Sequence, residues 1–180
     1  LDKGIVCMDE RLLYQTFASN RPSNLHTHPI FSSQKTWVCN GYYFWDTHIE
    51  NAHWWGNVHY GGNYIIGETS CDKYSRELYD LYGDLEKRKE FFEIASYLKE
   101  QEKKEVFVPD VISFIRRTTE FDEKYKAIRV YPLLSQKKDN SLRIKFVAHN
   151  ISFMEKEPPV QICVLDLKFL TKPFQVVYSK

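Results

Sequence analysis

The chain has 180 residues, with 25 basic and 24 acidic side chains. A chain of this length folds most simply as one domain, residues 1–180, burying roughly 70% of its extended surface. Near-zero net charge gives no ground for nonspecific attraction to nucleic acid or acidic lipid, and no apolar run approaches the roughly 20 residues that span a bilayer, so no membrane partner is expected.

The first apolar run, 11–18 in RLLYQTFASN, reads as a short strand closed by Ser19, Asn20 and Pro22. An irregular polar stretch follows, RPSNLHTHPIFSSQKT. Residues 37–39 form a candidate short strand before an Asn40-Gly41 turn. From Asp46, DTHIENAHWW fits a helix capped by Asp46 or Thr47, with Glu50 in its first turn. NYIIGETSC is a strand, interrupted or ended near Gly67.

DLEKRKEFFEIASYLKEQEKK, 84–104, carries the clearest helical stripe, through Leu85, Phe91, Phe92, Ile94, Ala95 and Leu98. PDVISFIRR is a second, shorter helix that tolerates Pro109 at its start. YKAIRVYPLL reads as a strand, QKKDNS as a loop with a modest positive patch, and RIKFVAHNISF, VQICVLDLKFL and FQVVYSK as three β-rich segments. The expected class is α+β, with strands weighted to the C-terminal half and helices in the middle.

Most chemistry-bearing patterns are absent. Cys7, Cys39, Cys71 and Cys163 are far apart and form no CxxC. They read as small buried hydrophobes of a reducing, cytoplasmic compartment, although the chain opens LDKG without Met and a missing signal peptide says little. His48 and His53 are five apart and do not share a helix face, so no metal is expected. Neither GxSxG, nor a P-loop, nor GxGxxG occurs. What stands out is NGYYFWDTHIENAHWWG, too polar for a membrane and too aromatic for an ordinary loop. Its rings are either core or the lining of a pocket for something flat.

The arrangement of that stretch resembles the signature of the ADP-ribosyltransferase superfamily, in its poly(ADP-ribose) polymerase-like (diphtheria-toxin-like) branch. There a glycine is followed by x-Tyr-Phe, seven residues, then Ala-x-Tyr. This chain has Gly41, Tyr43 and Phe44, the same seven-residue gap, Ala52, and Trp54 in the last position. YIIGETS resembles a following Leu-Leu-Gly-Glu-Val strand, and LLYQTFASN occupies the place of an upstream strand ending in His-Gly. QICVLDLKFLTKPFQVV resembles the C-terminal segment that carries the catalytic glutamate.

The resemblance implies a split β-sheet core around a cleft that binds NAD as substrate, with residues 84–117 as a helical insertion. It implies that Tyr43 and Trp54 sandwich the nicotinamide ring, that Gly41 admits the ligand close to the backbone, and that Gln15, Thr16 and Gln161 stand where the family has histidine, glycine and the catalytic glutamate. Gln161 and Tyr43 are the residues to which catalysis would fall. Loss of the carboxylate removes electrostatic stabilisation of a cationic transition state, so chain elongation is not expected. Two activities stay open. One is transfer of a single ADP-ribose unit from NAD to a macromolecular acceptor, protein or nucleic acid, with release of nicotinamide. The other is binding of NAD, ADP-ribose or a protein on the same fold without turnover. With a shifted C-terminal alignment, Asp166 or Glu157 would supply a carboxylate.

Overall fold

The structure, a computed structural model, describes residues 9–34, 36–132, 143–148 and 152–180. Cys7 and the QKKDNS loop with Lys137 and Lys138 lie outside the described residues. The architecture is α+β, built on a mostly antiparallel sheet with four helices.

In chain order the elements are β1 (Glu10–Ala18), β2 (Phe31–Ser32), β3 (Gly41–Asp46), α1 (Ile49–His59), β4 (Tyr64–Asp72), β5 (Leu78–Asp80), α2 (Leu85–Glu102), α3 (Val108–Thr118), α4 (Phe121–Lys124), β6 (Ala127–Val130), β7 (Arg143–Lys145), β8 (Phe153–Glu155), β9 (Gln161–Val164) and β10 (Gln175–Ser179). The main sheet runs β10-β4-β1-β3-β9-β6-β5, with β2 added to the start of β3; β7 and β8 form a separate hairpin. β5 and β6 are parallel neighbours. Parallel strands cannot be joined by a tight turn, and α2, α3 and α4 are the crossover between them. The helices at 84–117 therefore belong to the topology of the sheet edge.

Side-chain alternation divides the sheet between two cores. Leu13, Phe17, Phe44, Ile162 and Val164 pack on one face with Phe169 and Phe174. On the other, Tyr14, Trp45 and Ile66 meet Ala52 of α1, while Ile128 and Cys163 meet Phe91, Val111 and Ile112 of α2 and α3. The N-terminus of α2 is fixed by Asp84, whose carboxylate accepts hydrogen bonds from the Glu86 and Lys87 amides.

Several elements differ from the sequence reading. Trp37–Cys39 is not a strand, and Gly41 opens β3 instead of completing a turn. The first half of the aromatic stretch is thus a strand in the sheet interior, and the second half lies in α1. α1 begins at Ile49, and no side chain caps it. Asp46 is unavailable for capping because it ends β3 and its carboxylate is taken by two guanidiniums. Thr47 makes the turn in the left-handed region (φ 65°), held by its hydroxyl on Asp46 Oδ1 and its amide on the Leu12 carbonyl. β4 is continuous through Gly67, where a Cβ would fall 1.9 Å from Cζ of Phe174. The glycine marks the close approach of an aromatic ring, with the strand unbroken. RIKFVAHNISF holds parts of both β7 and β8, so it folds back as a hairpin.

One ionic chain crosses the sheet. Asp46, 2% exposed, receives Arg11 (2.8 Å, β1) and Arg129 (2.7 Å, β6) on the same oxygen. Arg129 continues to Asp80 at 3.0 Å, and Asp80 caps the turn after β5 through the Tyr82 and Gly83 amides. Removing one member of a buried ion group leaves charge without compensation, a cost of about 3–5 kcal/mol. Asp46→Ala is expected to lose stability in that range by urea unfolding. Asp80→Ala, whose carboxylate is 21% exposed, should lose clearly less. Equal losses would mean that the chain is not anchored at Asp46.

Candidate functional site

β1 pairs with β3 only at Leu13–Asp46 and Tyr14–Trp45. Beyond that point the strands part, and β2 takes over pairing with the start of β3. A strand pair that separates leaves backbone groups without partners. Here the side chain of Gln15, 6% exposed, crosses the gap. Its Nε2 donates to the carbonyls of Ile30 (2.9 Å) and Tyr43 (3.1 Å), and its Oε1 accepts from the Ile30 amide (2.5 Å). The amide replaces the missing ladder and ties Ile30, next to β2, to the sheet.

A cavity of about 440 Å³ opens beside this bridge. Its sheet wall consists of Gln15, Thr16, Tyr43, Trp45 and Gln161; Trp55 and Tyr60 close it from α1, and residues of the segment from Ile30 to Trp37 close the third side. The volume lies within the ordinary range for small-molecule sites. Among the described residues lining it, none is charged.

The residues singled out in the sequence are distributed unevenly around this space. Gln15, Thr16, Tyr43 and Gln161 all line it. Gln15 has both amide hydrogens engaged by backbone carbonyls, which leaves no donor for a ribose hydroxyl. The Thr16 hydroxyl donates to the Ala52 carbonyl at 2.8 Å and fastens α1 to β1. The Tyr43 hydroxyl accepts from the Val38 and Cys39 amides and donates to the Cys39 carbonyl at 2.6 Å. Burial holds this phenol well above its usual range, so it stays protonated and acts as a backbone clamp. Its ring lies parallel to Trp37, with centroids 6.4 Å apart.

Gly41 and Trp54 do not line the cavity. A Cβ at Gly41 would stand 2.6 Å from the Cys163 sulfur and 2.8 Å from the Val164 carbonyl oxygen. The close approach that requires glycine is therefore made by the protein itself. Trp54 stands edge-on to Trp45, 6.1 Å between centroids, and the pairing of Tyr43 with Trp54 across a slot is not formed. Trp55 takes the cavity position instead. Consecutive helical residues point about 100° apart, and burial of Ala52 against the sheet decides which indole turns inward.

Gln161 is different from the other polar residues. It is 6% exposed, and its Oε1 is buried without a hydrogen-bond partner among the described residues. β9 sets it beside Trp45 on one side and Val130 on the other. The carboxylates considered near it serve elsewhere: Asp166 caps the turn at Lys168, and Glu157 lies 3.4 Å from the Lys156 ammonium. Glu68, paired in register with Tyr14, helps burial push that phenol up to about 12. Of the histidines, His26 bonds the Arg21 carbonyl and His53 the Tyr64 hydroxyl. Among the described residues no three His, Cys, Asp or Glu side chains gather as metal ligands, and no helix is long and apolar enough to cross a membrane.

Trp37, Trp45, Trp55, Tyr60 and the lining residues Ile30, Ser32, Gln34 and Thr36 are those that sequence reasoning missed. The aromatic pair Trp54-Trp55 was visible, but orientation around α1 was not. The segment has no periodic pattern, and its role follows from Gln15 reaching across to it.

No protein-family model, no curated protein and no solved structure matches the chain.

The bridge has a measurable consequence. Gln15→Leu keeps the bulk but leaves the Ile30 amide and two carbonyls without their partner, and each buried loss costs about 1–3 kcal/mol. A lowered urea midpoint with faster hydrogen exchange at the Ile30 amide is expected. Unchanged exchange at Ile30 would show that the segment is held by something else.

Proposed function

We propose that the cavity binds a flat, neutral heteroaromatic ring carrying an amide, such as the nicotinamide end of NAD, and that the chain is a binding module. One observation carries this reading: among the described residues, the buried carbonyl oxygen of Gln161 has no partner, and it stands beside an aromatic cavity whose described lining residues include no charged side chain. An unsatisfied buried acceptor costs about 1–3 kcal/mol. A ligand N–H that meets it recovers that cost, and rotation of the amide would offer Nε2 to a ligand carbonyl instead. Trp45, Trp55 and Tyr60 supply faces and edges for a planar ring. Among the described lining residues there is no cation for a pyrophosphate, so the reading rests on the ring end of a dinucleotide.

Transfer of a single ADP-ribose unit to a macromolecular acceptor is the second reading, favoured by Tyr43 and Gln161 sharing one wall. Cleavage of the nicotinamide–ribose bond builds positive charge on the sugar, and a fixed carboxylate is the usual means of stabilising it. None of the described lining residues carries one. Binding without turnover fits that lining better.

Calorimetry separates the possibilities. Nicotinamide and NAD should both bind, while ADP-ribose, which lacks the ring, should give no heat. Gln161→Leu should weaken nicotinamide by up to about tenfold, the equivalent of one hydrogen bond, and Trp55→Ala should weaken it further. Binding of ADP-ribose alone would overturn the ring-first reading. Nicotinamide release from labelled NAD in a lysate, above the Gln161→Leu background, would put the transferase reading first.

A further inference from the structure

Beside the cavity, and independent of what it binds, lie two thiols that the sequence separates by 124 positions. The Cys39 and Cys163 sulfurs are 3.9 Å apart. Cys163 is fully buried in the middle of β9, whereas Cys39 is half-buried in the segment that leads into β3. The space for the Cys163 sulfur exists because residue 41 is glycine, since a Cβ there would stand 2.6 Å away. We propose that Cys39 and Cys163 are a peroxide-responsive pair, in which a hydroperoxide oxidises Cys39 and Cys163 resolves it as a disulfide.

The two sulfurs are unequal in the way such a pair requires. Cys39 is the one a small oxidant can reach. The two thiols share a hydrogen bond in which either sulfur can donate, and the Cys163 thiol also reaches the Cys39 carbonyl at 3.8 Å. The contact with Cys163 draws the Cys39 thiol below its usual range against the effect of burial, and the Arg116 guanidinium acts in the same direction as Cys163. The same hydrogen bond and burial push Cys163 up, so it holds its proton until the second step. Cys71, the remaining described cysteine, lies in the core on the opposite face of the sheet, with burial pushing its thiol up to about 12. It has no part in the pair.

The chemistry balances with a hydroperoxide as sole oxidant. The Cys39 thiolate attacks the terminal oxygen, the O–O bond breaks, and Cys39 becomes a sulfenic acid as the alcohol leaves (water, from hydrogen peroxide). The Cys163 sulfur then attacks the Cys39 sulfur. An S–S bond forms, the S–O bond breaks, and hydroxide leaves as water with the Cys163 proton. Two thiols lose two electrons and two protons, and the peroxide becomes alcohol and water.

Closing the pair changes the cavity wall. A disulfide holds its sulfurs at about 2.05 Å, so the Cys39 sulfur must move most of the way from 3.9 Å. Its backbone is fastened to the Tyr43 hydroxyl, and Trp37, two residues earlier, stacks on the Tyr43 ring and lines the cavity. Oxidation therefore pins this rim to the strand that carries Gln161.

The test is peptide mapping of the intact chain after hydrogen peroxide, with free thiols alkylated before digestion. The expected result is a Cys39–Cys163 linked peptide, reversed by dithiothreitol, with Cys71 recovered alkylated. In Cys163→Ser, Cys39 should instead be captured as a sulfenic acid by dimedone. The pair is overturned if Cys39 and Cys163 are both recovered fully alkylated. It is equally overturned if Cys39 of the unsubstituted chain advances to sulfinic acid while Cys163 stays a thiol, or if Cys39 links to another cysteine.

Discussion

The site depends on a single side-chain amide doing the work of a strand. Where β1 and β3 part, three hydrogen bonds from Gln15 satisfy Ile30 and Tyr43. A sheet that opens without such a substitute would bury orphaned peptide groups at the mouth of the gap. Water would enter, or the strands would close and the cavity would vanish. Gln15 avoids both outcomes because an amide presents donors and an acceptor in one plane, as a peptide does. A carboxylate at this position could satisfy the Ile30 amide but would repel the two carbonyls.

Among the described residues, the buried ion pairs stand apart from the cavity lining. The Arg11–Asp46–Arg129–Asp80 chain links β1 and β3 across β9 to β6 and β5, and it secures the end of β3 opposite the opening. The described lining residues are neutral: amides, hydroxyls, aromatic rings and Ile30. The polar groups there are mostly committed, Gln15 and Thr16 to backbone carbonyls and Tyr43 to the Val38–Cys39 peptide. Against that background the unmet carbonyl of Gln161 stands out.

Elements with a local physical cause were legible in the sequence. β1, α2 and β10 follow from their apolar patterns. Four of the residues marked as a site also come to one wall. Properties set by distant packing were not legible. Gly41 and Gly67 looked like a ligand approach and a strand end, but the first makes room for a sulfur and the second for a phenyl ring, each from far along the chain. Trp54 and Trp55 are indistinguishable until α1 is docked. The helices at 84–117 resembled added material because nothing in their own sequence shows that β5 and β6 run parallel.

That parallel pair has a consequence for the order of assembly. Its two strands are separated by 46 residues, 81 to 126, whereas β1 and β4 pair along nine consecutive positions and Thr16 fastens α1 between them. Closing the long connection costs chain entropy before any ladder forms to offset it. The β1–α1–β4 unit is then the natural seed, with the crossover helices collapsing onto β9 afterwards and β5 completing the margin last. Under denaturant the molecule should come apart from the β5 side first, while the half that carries Gln15 and Thr16 is still standing.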